Sequence, residues 1–223
     1  MKRTAKECPT LAHDIYKTVL YDKKEPVLTV CNDIFQFAGR SLPRATRRIN
    51  AHYRFFARRL EGLSRRTLYR RAVAAHKKGG SEGFVPHMLS VKHKVTYNKG
   101  NLLSLYHDHI QNDGQARPAV CRMADTWRLS DGVPMTLKDV CGTRKTWRLL
   151  RRLTVTEDRR LLESGQASFL TRSADGKRRR FGSSRFYLTD QGVVIFEEAG
   201  RITSTSQGVQ TIVVPYQALS LSL

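Results

Sequence analysis

Two histidines stand two residues apart in the run His107-Asp108-His109. On an extended strand, residues i and i+2 share a face, so both imidazoles can approach one metal ion. No third ligand is evident nearby, and two half-exposed histidines at the end of a strand are the simpler account. No metal site is assigned. Asp139 and Asp190 are the other carboxylates that attract notice, and each falls where a helix cap or a turn wants an acid. No paired acids and no Ser/His/Asp set can be assembled from the sequence. G-x-S-x-G, Walker-loop, G-x-G-x-x-G and H-E-x-x-H patterns are all missing. The expectation is a protein that is not an enzyme and that uses no cofactor.

Positive charge is what the chain does concentrate. From Arg40 to Lys78 there are thirteen Lys and Arg against one acid, Glu61. Six residues of that stretch, Arg44, Arg47, Arg54, Phe55, Arg58 and Arg65, form a candidate anion-binding face, with Phe55 able to stack on a base or insert into a partner. The plainer alternative is a solvated outer face whose arginine stems cover apolar edges. RNP-type and zinc-finger signatures are missing, so any nucleic-acid binding would be driven by phosphate and blind to sequence.

The element that must carry these arginines is a helix. Leu42, Ala45, Ile49, Tyr53, Phe56, Leu60 and Leu63 recur at three or four residues, within an arc of about 80° on a helical wheel, and the arginines take the other side. Pro43 belongs in its first turn. At Gly62 and Ser64 the register slips, which predicts either a kink or a second short helix capped by Ser64. Lys77-Lys78-Gly79-Gly80-Ser81 should end it.

Around the helix the pattern is one of strands. Residues 1–13 read as a loose leader, and Ile15–Tyr21 and Val27–Asn32 as a hairpin. Met88–Tyr97 and Leu102–Ile110 form another about the turn Asn98-Lys99-Gly100-Asn101. An extended piece follows over about 119–129. Trp147, Leu149, Leu150 and Leu153 suggest a second, shorter helix, and Lys177-Arg178-Arg179-Arg180 a solvated charge run. The end of the chain has the densest β-propensity, with strands at Phe186–Thr189, Val193–Phe196 and Thr211–Tyr216. The expected class is α+β: an antiparallel sheet built from hairpins, with one long N-terminal amphipathic helix and a shorter one packed on it.

The totals set outer bounds. A chain of 223 residues, 40% apolar and 9% aromatic, can bury a sizeable core. A formal charge of +21 and a pI near 10.4 favour anionic partners: nucleic acid, anionic lipid, wall polymers or an acidic protein. No apolar run approaches the roughly 18 residues that cross a bilayer. The basic start at Met1–Cys8 lacks the apolar segment of a signal peptide. The compartment expected from the sequence as written is the cytoplasm, or the extracytoplasmic side if this is a piece of a longer protein. Cys8, Cys31, Cys121 and Cys141 contain no C-x-x-C and are expected to be reduced thiols.

The run from Phe186 to Phe196, then Gly208, then Ile212-Val213-Val214-Pro215-Tyr216, resembles the closing motif of the RsiV C-terminal domain family. That is a domain of unknown function in many bacterial proteins. It includes the extracytoplasmic, lysozyme-binding sensor of the RsiV anti-sigma factor and precedes the catalytic domain of some peptidoglycan deacetylases. The central hairpin at 95–105 and the segment at 129–140 extend the resemblance to roughly 14–219. Arg117 stands where the family tends to have histidine. The resemblance implies a single α+β domain over 14–223, with a helical half at about 14–85 and a sheet-rich half at about 86–219. It also implies a non-catalytic binding or sensing module for an unknown protein or envelope-derived ligand. Tyr187, Asp190, Gly192, Gly208, Pro215 and Tyr216 are the motif residues, expected to serve structure rather than function. Common lysozymes are cationic, so long-range repulsion argues against lysozyme as the partner. The alternative function is a nucleic-acid or anionic-polymer binder that uses the arginine-rich helix.

Overall fold

The computed structural model describes residues 10–39, 41–164, 184–198 and 208–221. The charge run at 177–180 lies outside them. The chain opens with a long hairpin, β1 (Thr10–Asp22) and β2 (Glu25–Ala38), so strand begins inside the segment expected to be a leader. The long helix follows as α1 (Pro43–Leu63), a π-helical turn (Ser64–Leu68) and α2 (Tyr69–Gly83). Next come β3 (His87–Lys99), β4 (Leu102–Asn112), β5 (Ala119–Arg128), the short β6 (Val133–Pro134), α3 (Leu137–Cys141) and α4 (Arg144–Glu163). Three strands, β7 (Phe186–Leu188), β8 (Gly192–Glu197) and β9 (Gln210–Pro215), precede a last turn of helix, α5 (Tyr216–Leu219).

The class is α+β, but the sheet is not purely antiparallel. Six strands run in the order β1-β2-β3-β4-β5-β6, with β7-β8-β9 as a second sheet. β2 and β3 pair in parallel, from Leu28 opposite His87 to Asn32 opposite Val91. Parallel neighbours need a long crossover, and the helix from Pro43 to Gly83 is that crossover. The sequence pattern shows the hairpins and the helix separately, but not that the helix joins two strands of one sheet.

Contacts group the chain into two compact units. The first comprises residues 1–93, 108–119 and 130–132, the second 94–107, 120–129 and 133–223.

In the first unit, the buried stripe of the helix runs through Ala45, Ile49, Tyr53, Ala57 and Leu60 and continues at Ser64, Leu68 and Ala72. A regular α-helix drifts about 40° for every four residues, so such a row would spiral off the sheet. The π-helical turn corrects this. Tyr69 N–H donates to the Ser64 carbonyl five residues back, which takes up one extra residue and brings Leu68 and Ala72 back onto the core. The slip at Ser64 is therefore neither a kink nor a cap; the Ser64 hydroxyl donates within the helix to the Leu60 carbonyl at 2.8 Å. Ala57 joins the stripe, Phe56 is half-buried and Leu63 is exposed. Leu28, Val30, Leu89 and Val91 of the parallel pair complete this core.

In the second unit, β7, β8 and β9 are antiparallel neighbours. Phe186, Leu188, Val193, Ile195, Ile212 and Val214 enter one core with Leu150 of α4, while Tyr187, Val194 and Phe196 enter another with Ala124. A strand covered on both faces must be apolar at consecutive positions, as Val193-Val194-Ile195-Phe196 is. The expected second helix is α4. It runs to twenty residues and packs on this small sheet.

Candidate functional site

The helix and the first hairpin are fastened to each other at two places. Near one end, the Asn50 side chain mimics a neighbouring strand: its Nδ2 donates to the Phe37 carbonyl at 2.9 Å and its Oδ1 accepts from Phe37 N–H at 2.8 Å. Near the other, the Tyr69 hydroxyl donates to the Tyr21 carbonyl at 2.8 Å. His76 there stands 2.7 Å from Glu25 Oε2 and 3.3 Å from Asp22 Oδ2, both at the hairpin tip. Bonding to both carboxylates favours the protonated ring and raises the His76 pKa, Glu25 contributing most. The start of α1 is fixed separately. Arg48 Nη1 donates to the Asp131 carbonyl at 2.9 Å. Gly132 lies so close that a Cβ there would stand 2.7 Å from Ala45 Cα.

Between these fastenings the helix and the hairpin part, leaving a groove of about 320 Å³. Its floor is apolar: Leu20, Val30, Ile34, Ala57 and Leu60. Tyr16 and Thr18 of β1 make one wall, and Arg54, Arg58, Glu61 and Arg65 of the helix the other. The wall is arginine-rich for a geometric reason. Ala57 extends the buried stripe toward the flank where residues 54, 58, 61 and 65 follow one another at three- or four-residue steps. Arg65 and Glu61 form an exposed i,i+4 pair at 3.1 Å, which is worth little to stability. Arg54 Nε donates to the Asn50 carbonyl at 3.2 Å. Arg58 has no hydrogen bond or ion pair among the described residues.

Asn32 also lines the groove, directly across the hairpin from Tyr16. It is nine-tenths buried (9% exposed), and its Oδ1 has no hydrogen-bond partner among the described residues. A buried acceptor left unmatched costs roughly 1–3 kcal/mol.

Of the six residues of the candidate anion face, the groove gathers Arg54, Arg58 and Arg65. Arg44 and Arg47 are exposed on the first turns of α1 and take no part in it. Phe55 points away from the core, 62% exposed, with the Arg59 guanidinium 5.9 Å from its ring centre. Tyr16, Asn32 and Ala57 escape a search for charge. The available signal was a lone amide in the otherwise apolar alternate row Leu28, Val30, Asn32, Ile34.

The motif residues near the end of the chain lie in the second unit. A Cβ on Gly192 would lie 2.2 Å from the Val214 carbonyl oxygen, so β8 and β9 approach this closely only with glycine there. The Tyr216 hydroxyl donates to the Thr189 carbonyl at 2.8 Å, and burial pushes its pKa up. Asp190 pairs with Lys99 at 2.7 Å in an exposed turn. Tyr187 lies within 5.1 Å of the Tyr106 ring, and the Arg122 guanidinium is 3.8 Å from that ring's centre. Gly208 takes a positive φ of 67° ahead of β9, and Pro215 ends β9 just before α5.

Two solved structures share this architecture over nearly its whole length. A DUF3298 family member from Bacteroides fragilis matches with a TM-score of 0.66 at 14% identity, over 97% of this chain and 94% of that one. A DUF3298 family protein from Pseudomonas aeruginosa matches with a TM-score of 0.56 at 16% identity, over 96% and 94%. The likeness is one of fold. Neither a protein-family model nor a curated protein sequence matches the chain.

The remaining chemical candidates separate on inspection. His107 is buried 3.8 Å from Asp125 and belongs to the second unit. His109 belongs to the first, edge-on to Phe56 at 5.3 Å, with its pKa lowered by burial. Among the described residues no group of three His, Cys, Asp or Glu is placed to hold a metal ion. Asp139 caps α3: its carboxylate accepts from Thr136 N–H at 2.7 Å while Thr136 Oγ1 accepts from Asp139 N–H, a capping box that lowers the Asp139 pKa. Cys31, Cys121 and Cys141 form no disulfide among the described residues. Burial pushes the Cys141 pKa up to about 11, which makes it a poor nucleophile. No described helix is long and apolar enough to cross a membrane, which says nothing of membrane β-barrels.

Proposed function

We propose that this chain is a non-catalytic binding module that takes its ligand in the groove between α1 and the first hairpin. It would work as the sensor domain of RsiV-type anti-sigma factors does, by recognising a ligand rather than transforming it. One observation carries this function: an apolar floor, an arginine wall and an unmatched buried acceptor meet in one opening of about 320 Å³. That combination is what ligand sites have and ordinary surface lacks. The π-helical turn at the end of the groove is in keeping with it, because such turns recur at functional sites. Among the described residues no set of nucleophile, base and acid lines the groove, so binding is the activity its chemistry supports.

The test is thermal melting of the full chain against a panel of soluble envelope fragments and metabolites. A ligand at one hundred times its Kd adds about 2.7 kcal/mol of stability. The melting temperature should rise in the parent and stay unchanged in Thr18→Trp, which fills the groove from its exposed wall. A ligand that stabilises both proteins equally places the site elsewhere.

A second function has its own observation: exposed Phe55 beside Arg59, on a helix rich in outward arginines. A nucleic-acid binder of this kind would hold duplex and single strands alike at about 50 mM salt and release them steeply as salt rises. The groove-binding module predicts no such binding at that salt. DNA binding that persists in Thr18→Trp would assign the function to the outer arginine face.

A further inference from the structure

We infer that the groove's ligand is a small amphiphilic anion: an apolar body with one N–H or O–H donor along it, and a carboxylate or phosphate head. The inference rests on the groove being the binding site and specifies what that site takes. Each part of the ligand answers one part of the wall.

The floor of Leu20, Val30, Ile34, Ala57 and Leu60 offers only apolar contact, so the portion in the groove must be hydrocarbon or aryl. The space, about 320 Å³, sits at the lower limit of the roughly 300–1,000 Å³ of ligand pockets, which suits a small molecule of modest length. The head follows from Arg54 and Arg58, one helical turn apart on the same wall. Glu61 is paired with Arg65 and so leaves these two guanidinium groups for an incoming charge. Carboxylate and phosphate fit guanidinium donors in a way that a neutral hydroxyl does not. A cationic head would be repelled by the same wall. The donor follows from Asn32. Its Oδ1 is an acceptor only, is buried, and is unmatched among the described residues, so a ligand N–H or O–H that reaches it relieves a standing cost. An N-acylated amino acid has all three features in order: acyl chain, amide N–H and carboxylate.

Isothermal titration of the full chain tests this with five soluble probes below their micellar concentrations: N-decanoylglycine, decanoate, decanol, decylammonium and inorganic phosphate. N-decanoylglycine should bind tightest, and decanoate about tenfold more weakly for want of the donor. Decanol, decylammonium and phosphate should bind weaker still. Asn32→Leu should bring N-decanoylglycine down to the level of decanoate. Arg58→Glu, an exposed and structurally harmless change, should weaken both anions by at least about tenfold while leaving decanol unaffected. Thr18→Trp should abolish binding of all of them.

Decanol binding as tightly as decanoate, and lost in Thr18→Trp, would overturn the anionic class while leaving the groove as the site. Anion binding that survives Thr18→Trp would overturn both. Co-sedimentation with phosphatidylglycerol vesicles without any response to the soluble anions would also overturn it, in favour of a membrane surface.

Discussion

Two hairpins, one in each unit, show how differently the same kind of element is used. The β7–β8 hairpin is buried at every strand position, and its polar needs are met from within its unit. Ser104 Oγ accepts from Leu188 N–H at 2.9 Å and lies 2.8 Å from Thr126 Oγ1. The β1–β2 hairpin is longer, leaves Ile15 76% exposed and Tyr16 57% exposed, and keeps Asn32 Oδ1 buried without a partner. The first hairpin in the chain is thus open and incompletely satisfied, while the β7–β8 hairpin is closed on both faces. A structural element gains nothing from an unmatched acceptor beside an arginine wall. A binding element does.

The largest test of this contrast is Gly192→Ala. The new Cβ would meet backbone of β9, which cannot rotate away, so β8 and β9 must separate. A loss on the order of 3–4 kcal/mol is expected, read by urea unfolding. A loss below about 0.5 kcal/mol would mean that the closed hairpin is less tightly specified than its packing implies.

Ser104→Ala strands buried partners and should cost about 1–3 kcal/mol, whereas Asn32→Leu removes an acceptor that has none and should be neutral or stabilising by up to about 1 kcal/mol. Equal losses in the two variants would break the comparison, since they would make Asn32 as structural as Ser104.

The smallest effect concerns the fastening at the tip of the first hairpin. Because His76 has its pKa raised in the folded chain, its contribution to stability is fully present below the unfolded value near 6.5 and is lost as pH rises through the raised folded value. Urea midpoints between about pH 6 and pH 8 should therefore fall more in the parent than in His76→Gln. A parent curve parallel to the variant's would remove His76 from the fastening.

What could be read from the sequence follows from how far each signal reaches along the chain. The helix from Pro43 was legible because its apolar stripe repeats locally, and the closing hairpins were legible because their β-branched runs and turns are adjacent. The parallel pairing of β2 with β3 was not, since the partners Val30 and Leu89 are far apart in the chain and no local pattern names a neighbour. The groove was half legible. Arg54, Arg58 and Arg65 stood out by charge, but their gathering depends on Ala57 being buried in place of Leu63, which a regular wheel does not foresee. Asn32 was easy to pass over for another reason: a lone amide in an apolar row is ordinary until the surroundings of its oxygen are known.

The π-helical turn bears on how this chain tolerates change in length. Upstream and downstream of Ser64–Leu68 the helix keeps two separate rotational settings, reconciled by a single surplus residue. Deleting that surplus residue would let the helix become regular and leave the side chains on either side in their present settings. Deleting a residue from the regular part of α1 would instead turn everything after it by about 100° and carry Leu68 and Ala72 out of the core. An extra residue near Gly80, where α2 already departs from helical φ and ψ, has less leverage, because Leu68 and Ala72 lie upstream of it. Insertions and deletions in this fold should therefore be counted against the turn at 64–68 before they are judged harmless.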